Sequence, residues 1–503
     1  MKRIIPATMS TQHPDNASAA FWCNKSFINT ADEIEEAYIA FSDLGCEEYM
    51  WDWEGKFVDE AVIDKLFRKY TQYFQKNPLG QKKFLTYRIP NIWEEHGYRL
   101  ARAFMNIVTS ADLAKEAGFH TPPIMEVILP MTKNADQIFE TDSLFRKVAK
   151  LKCEIFDSKK QCDFSHIDVI PLVEQVADLT SVNVLLEEYL KKYKKAYKKY
   201  PTLMRPFIAR SDPALNAGIV PSVLASKVAI SHFYNVQEKY GVPMYPIIGT
   251  GSLPFRGGVN PENIEEVIQE YRGIRTVTVQ SAFKYDYPEV QVRAALKYIQ
   301  DTLPKMKPDF LSPKEVAEIV KVNAFFAEMY QKTVEPLAPF INKVAASIPP
   351  RRERMQHIGL FGYSRGIGKV SLPRAITFTG SFYSLGVPPE FIGTGRALRR
   401  AKKEGYLPLI ERLYINLRRD LTHAGKYLNR ENLEFLAKKH PSFKEIAEDV
   451  RAVEEVLGIA LGPIRDAHFL HRNLVSNIYH KMEIGMDAAE DVVQAGIIRK
   501  SLG

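Results

Sequence analysis

The sequence predicts an α/β fold: a closed (β/α)8 barrel followed by a large, mainly α-helical C-terminal extension. Three observations lead there. Eight short apolar or β-branched runs recur at intervals of roughly 30 to 45 residues, which suits a strand, a crossover helix and two loops. Each run ends in a polar group and is followed by a helical pattern, the alternation that builds a parallel sheet. After residue 300 the strand-like runs thin out and helix signals take over. Eight alternations suit a TIM-type barrel, with a doubly wound open sheet as the competing topology. The barrel is expected over residues 1–300 and the helical region over 301–503.

In chain order the runs are ATMST, EYMW, KFLTY, MEVILP, IDVIPLV, MRPFIA, MYPII and RTVTV. Between the first two, Thr30-Ala31-Asp32-Glu33 has the form of a capping box opening a helix. The stretch LEEYLKKYKKAYKKY places Tyr189, Tyr193 and Tyr197 every fourth residue, so the tyrosines share one helix face and the lysines cover the rest. Interleaved Lys and Tyr could suggest nucleic acid, but a solvated amphipathic helix accounts for them. NPENIEEVIQEY is expected to start a helix at Asn260-Pro261. Ser312-Pro313-Lys314-Glu315 combines a capping Ser, a first-turn Pro and a closing Glu. Residues 359–396, rich in Gly, Ser, Thr and Pro, are expected to form a substrate-binding loop between helices.

Composition sets outer limits. A chain of 503 residues with 46% hydrophobic and 25% charged residues is an ordinary globular chain, not a disordered one. The first residues, MKRIIPATMS, hold only a short apolar stretch cut by Pro6, so no secretory leader is expected. No apolar run reaches the ~18 residues of a membrane-spanning helix. Four cysteines without C-x-x-C spacing favour reduced, buried thiols and a cytoplasmic location. The net charge of +8 is modest and would attract small anionic substrates as well as nucleic acid, so charge alone does not choose between them.

In a barrel the residues just past the C-terminal strand ends line the active site. The exits here are His13, Asp52, Arg88, Glu174, Arg210 with Asp212, the loop leading to Arg256, and Gln280. Glu174 and Asp212 follow adjacent strands, a geometry that can bring two carboxylates around one hard cation such as Mg²⁺; pairing with a neighbouring Arg is the structural alternative. Arg88, Arg210, Arg256, Arg365 and Arg374 fall in the same loop class, and clustered guanidinium groups suit phosphate or carboxylate, which they grip bidentately. A lone His13 beside Pro14-Asp15-Asn16 could be only a turn.

Three familiar motifs do not fit. Gly362-Tyr363-Ser364-Arg365-Gly366 matches the nucleophile elbow of α/β-hydrolases, but the next residues supply Gly368 and Pro373 where a helix is required. GYSRGIGKVS has the wrong glycine spacing for a P-loop, and GTGSLPFRGG has Pro254 where a dinucleotide loop needs its third Gly.

Taken together and in order, these segments resemble the phosphoenolpyruvate carboxylases, specifically their short archaeal-type form, over the whole chain. TQHPDN resembles the family's T-x-H-P-T-E segment, which would make His13 the catalytic histidine. PLVEQVADL and ARSDPALNAG resemble the segments that would make Glu174 and Asp212 metal ligands. PFRGG resembles the end of the family's glycine-rich loop, giving Arg256 as its transition-state arginine. YSRG and LPRAITFTGSFYSLG are similar to phosphate-holding segments at Arg365 and Arg374, and LTYRIPN is more loosely similar to a segment at Arg88. The chain departs from the long form at Leu215, where a Lys is replaced, and at Ile248 and Thr250, where a His and an Arg are; Arg210 is expected to supply part of the missing positive charge.

The resemblance implies a carboxy-lyase that joins phosphoenolpyruvate to bicarbonate and yields oxaloacetate and phosphate, an anaplerotic fixation of carbon dioxide. It further implies Mg²⁺ as cofactor, with Mn²⁺ as the alternative metal, and a homotetramer with no nucleic-acid or membrane partner. Another Mg²⁺-dependent barrel lyase or mutase acting on phosphoenolpyruvate or pyruvate would share the carboxylates and arginines.

Overall fold

The computed structural model describes residues 3–54, 58–94, 97–156, 164–353, 370–503 and the backbone of 366–367. Eight parallel strands close into a barrel: β1 (Thr8–Ser10), β2 (Glu48–Asp52), β3 (Phe84–Arg88), β4 (Glu126–Leu129), β5 (Asp168–Val173), β6 (Phe207–Ala209), β7 (Ile247–Gly249) and β8 (Thr276–Val279). Every expected run contributes its strand. Closure is made by β8 against β1, with Met9 opposite Thr278 and Ser10 opposite Val279. A closed sheet leaves no edge, so the doubly wound alternative is excluded.

Period-two alternation sorts each strand into a lumen row and an outer row. On β2, Tyr49 and Trp51 join the main core between sheet and helices, while Glu48, Met50 and Asp52 point the other way. The lumen is thereby layered. Its middle is apolar, formed by Met9, Met50, Ile128, Ile170, Leu172, Phe207, Ala209 and Ile247. Its floor is ionic: buried Arg205 donates Nη2 to Glu48 Oε2 at 2.6 Å and to Thr276 Oγ1 at 3.0 Å, and Nη1 to Glu126 Oε2 at 2.5 Å. Arg3 closes the floor from below, 2.7 Å from Glu126 and 2.9 Å from Asp168. The strand exits form the third layer, the rim.

The last barrel helix ends at Thr302, and from Pro313 onward the described residues are mainly helical. Helix Pro313–Val334 opens with the expected capping box, both reciprocal bonds between Ser312 and Glu315 being present. The lysine-rich helix Val182–Tyr197 also takes its expected form, with Tyr189 and Tyr193 buried. Near the end of the chain, Ser501 Oγ and Leu502 N–H both donate to the carbonyl of Asp15, so residues 501–503 lie beside the first barrel loop.

Several local expectations are corrected. Thr30 does not cap a helix; its N–H and hydroxyl both donate to Glu353, and the helix starts at Glu33 without a side-chain cap. The helix expected at Asn260 starts at Ile264, because the Asn260 side chain accepts from Glu262 N–H and forms a turn instead. Where a loop was expected at 359–396, the described part is ordered: Gly366–Ile367 pairs antiparallel with Val370–Ser371, and a helix spans Ala375–Ser384. The helix forms because its apolar residues, Phe378 and Phe382 among them, enter the main core. Cys153 is disulfide-bonded rather than a free thiol, while Cys46 is buried and Cys23 half-buried, both reduced. No helix among the described residues is long and apolar enough to cross a membrane.

Candidate active site

One cavity of about 800 Å³ opens at the rim. His13, Arg88, Glu174, Arg210, Asp212, Arg256 and Arg374 all line it, joined by Glu54, Gln280 and the apolar Met50, Leu172 and Phe207 of the lumen. Seven of the eight residues singled out in the sequence therefore converge, although they come from segments far apart in the chain. Arg365 lies outside the described residues.

The turn after β1 aims the imidazole. Asp15 N–H donates to the His13 carbonyl at 3.2 Å, and Ser281 N–H from the β8 exit donates to the same oxygen at 3.2 Å. The ring is held from behind: Nδ1 lies 3.0 Å from Thr11 Oγ1. Thr11 is itself fixed, its N–H donating to Val279 and its carbonyl accepting from Lys284 Nζ.

Arg256 sits in a 3-10 turn, Pro254–Arg256, after β7 and is 2% exposed. Its guanidinium donates to Asp15 Oδ2 at 3.0 Å, Gln280 Oε1 at 2.6 Å and the Gly503 carbonyl at 2.7 Å. Two glycines make this possible. A Cβ on Gly251 would stand 2.6 Å from the guanidinium, and Gly257, at φ +115°, takes the left-handed conformation that reverses the chain after the arginine.

Glu174 follows β5 and accepts from Met131 N–H at 2.8 Å. Met131 reaches it from the left-handed region, φ +50°, a conformation that costs a side-chain-bearing residue free energy and must be held by its surroundings. Buried Asn91 does the holding, donating Nδ2 to the Pro130 carbonyl at 2.8 Å. Asp212 lies in the first turn of helix Ser211–Ala217 after β6. Arg374 is the N-cap residue of helix Ala375–Ser384, and Ala375 and Ile376 line the cavity beside it, so a helix N-terminus adds to the guanidinium charge.

Arg88 and Arg210 are also held by protein partners. Arg88 grips Asp52 bidentately at 2.9 and 2.7 Å and lies 2.9 Å from Glu54, so two carboxylates offset its charge. Buried Arg210 donates Nε to Tyr271 at 2.7 Å and Nη1 to Ser222, fastening its loop to the outer helices. Leu215 and Ile248 pack into the core, and Thr250 bonds with Thr278. None of the three lines the cavity.

Sequence reading missed Asp15, Glu54 and Thr11. Asp15 was hidden by its turn-forming company, and it is closure of the barrel through β8 that brings it beside Arg256. Glu54 carried a usable signal, since it continues the lumen-facing row of Glu48, Met50 and Asp52 past the strand end.

The donor set suits a hard cation. Glu174 and Asp212 offer two carboxylates to one cavity, and among the described residues no group of three or more His, Cys, Asp or Glu side chains is arranged to hold a metal. Two carboxylates completed by water and substrate oxygens fit Mg²⁺, which keeps part of its hydration; zinc takes a fuller set of protein ligands.

A family model described as phosphoenolpyruvate carboxylase matches residues 5–503. Curated relatives agree. The phosphoenolpyruvate carboxylase of Oenococcus oeni is 39% identical over 480 residues, 95% of this chain and 94% of that protein. That of Metallosphaera sedula is 39% identical over 522 residues, covering 100% of both. That of Pyrococcus abyssi is 39% identical over 474 residues, 90% of this chain and 96% of that one.

Proposed function

The chain belongs to the phosphoenolpyruvate carboxylase family, and from that premise we propose how its residues divide the work of joining phosphoenolpyruvate to bicarbonate. The match over the whole chain decides against the alternative of another barrel lyase or mutase. One observation carries the assignment of roles: His13, Glu174, Asp212, Arg256 and Arg374 converge on a single cavity at the barrel rim.

Both reactants are anions, so their approach needs positive charge fixed in advance where water is scarce. Arg374, with the helix behind it, takes the phosphate of phosphoenolpyruvate, and Arg365 is its proposed partner. Arg256 neutralises the phosphoryl group in transit to bicarbonate; Asp15, Gln280 and the Gly503 carbonyl fix its position beforehand. The products of that step are carboxyphosphate and the enolate of pyruvate. Glu174 and Asp212 would hold Mg²⁺, or Mn²⁺, which when bound supplies positive charge against the enolate. His13 takes the carboxyl proton of carboxyphosphate; its C–O bond breaks to carbon dioxide and phosphate, and the enolate carbon attacks carbon dioxide to give oxaloacetate. Arg88 and Arg210 act through the loops they fasten, keeping the rim in shape, and Arg210 adds positive potential there.

The chain is further proposed to work in the cytoplasm as a homotetramer, without a nucleic-acid partner; light scattering on the purified protein tests the assembly. A coupled assay for oxaloacetate, run with and without bicarbonate, tests the roles when paired with Arg256→Ala. Loss of both oxaloacetate and phosphate release is expected. Parent activity in that variant would remove Arg256 from the reaction.

A further inference from the structure

Glu390 is buried at 0% exposure in the 3-10 turn Pro389–Phe391, within the helical half of the chain. Its carboxyl reaches across to the barrel. Oε1 accepts from Phe255 N–H at 2.9 Å and from Tyr383 O–H at 2.8 Å, whereas Oε2 is buried with no hydrogen-bond partner. Phe255 is the residue before Arg256. The remaining backbone bonds of the turn stay inside its own loop, Arg256 N–H to Leu253 and Gly251 N–H to Arg256, so among the described residues Glu390 ties the backbone of this turn to the helical half, beside the bond from the Arg256 side chain to the Gly503 carbonyl. Apolar packing seats the same residue, the Phe255 ring lying 5.8 Å from Phe378 and 6.5 Å from Tyr330.

A buried acid with one unsatisfied oxygen is an uneconomical way to hold a fold together. Burial pushes Glu390 up to about 7, Asp420 adding to the rise while Tyr383 and Phe255 oppose it. An apolar residue would pack there at lower cost unless the acceptor is needed. The need is local: one oxygen fixes the backbone of the residue that precedes Arg256. We propose that Glu390 is a positioning residue, which holds the Phe255 backbone and thereby keeps the Arg256 guanidinium registered against the cavity. Tyr383 orients the carboxyl from the other side, and Arg499, 5.8 Å from the Tyr383 ring, ties this pair to residues 499–503.

This rests on Arg256 acting in the cavity, and the experiment separates the two claims. Steady-state rates of oxaloacetate formation are measured for Arg256→Ala, Glu390→Ala, Glu390→Asp and Glu390→Gln, together with their unfolding midpoints. Displacement of a charged catalytic group costs roughly tenfold to a hundredfold in rate. Glu390→Ala and Glu390→Asp should therefore lose at least roughly tenfold in kcat with KM for phosphoenolpyruvate nearly unchanged. Glu390→Gln keeps the acceptor and should recover most of kcat. Should Glu390→Ala not fold, Glu390→Asp carries the comparison, because its shortened carboxyl withdraws from Phe255 without opening a large void. Parent kcat in folded Glu390→Asp overturns the proposal, as does a Gln variant as slow as the Asp variant. An active Arg256→Ala would instead overturn the role of the arginine.

Discussion

Thr11 Oγ1 stands 3.0 Å from Nδ1 of His13, two residues away on the same strand exit. That contact fixes the orientation of the imidazole at the cavity, where under the proposed mechanism it exchanges a proton. Thr11→Val removes that partner at nearly constant volume. It should lower carboxylation by roughly tenfold to a hundredfold and shift the pH profile of kcat, while Thr11→Ser restores both. His13→Asn goes further: oxaloacetate formation should stop while phosphate release from phosphoenolpyruvate continues. Equal rates of oxaloacetate production in parent and His13→Asn would remove the imidazole from the reaction.

The two rim carboxylates make a separable prediction. Glu174→Gln and Asp212→Asn should each raise the Mg²⁺ concentration for half-maximal rate by about tenfold or more. Electron paramagnetic resonance with Mn²⁺ reads the same loss as binding, without turnover. Unchanged metal titrations in both variants would place the cation elsewhere.

At the other end of the barrel, Arg205 should matter for stability and not for turnover. Arg205→Met leaves Glu48 and Glu126 buried beside each other without their shared cation, a change worth about 3–5 kcal/mol. Urea unfolding measures it, with kcat per folded molecule expected to hold. Replacing Glu48 and Glu126 by apolar residues in the same chain should return most of the loss, and a single variant as stable as the parent contradicts the ionic floor.

His166 gives a pH-dependent test. Burial disfavours its charge, but hydrogen bonds and attraction from Asp142, 2.9 Å from Nδ1, and Asp168, 3.0 Å from Nε2, outweigh it and raise the ring from 6.5 to about 9. A pKa raised on folding means stability that is fully present below 6.5 and lost as pH rises through 9. His166→Gln should therefore lower the unfolding midpoint at pH 6 and have little effect at pH 10. A constant difference across that range would show that the ring contributes by packing alone.

The barrel was legible because its physics is periodic. Glu48, Met50 and Asp52 repeat every second residue, and eight such runs separated by helix-length intervals leave few topologies. The rim residues were legible for a related reason, since the strand ends point them at one another. What escaped were contacts with no short-range signature. Asp15 looks like a turn former until the barrel closes beside Arg256, and Glu390 meets Phe255 only through the packing of two halves of the chain. The Thr30 box failed because a tertiary partner, Glu353, competed for the same donors. The Gly- and Ser-rich stretch after Pro373 became helix because its aromatic side chains found the core, which local propensity does not report.

The ionic floor and the apolar layer above it make this lumen a cup rather than a tube. Under the proposed mechanism, carbon dioxide set free at the rim would meet packed side chains on the lumen side and not a channel through the barrel.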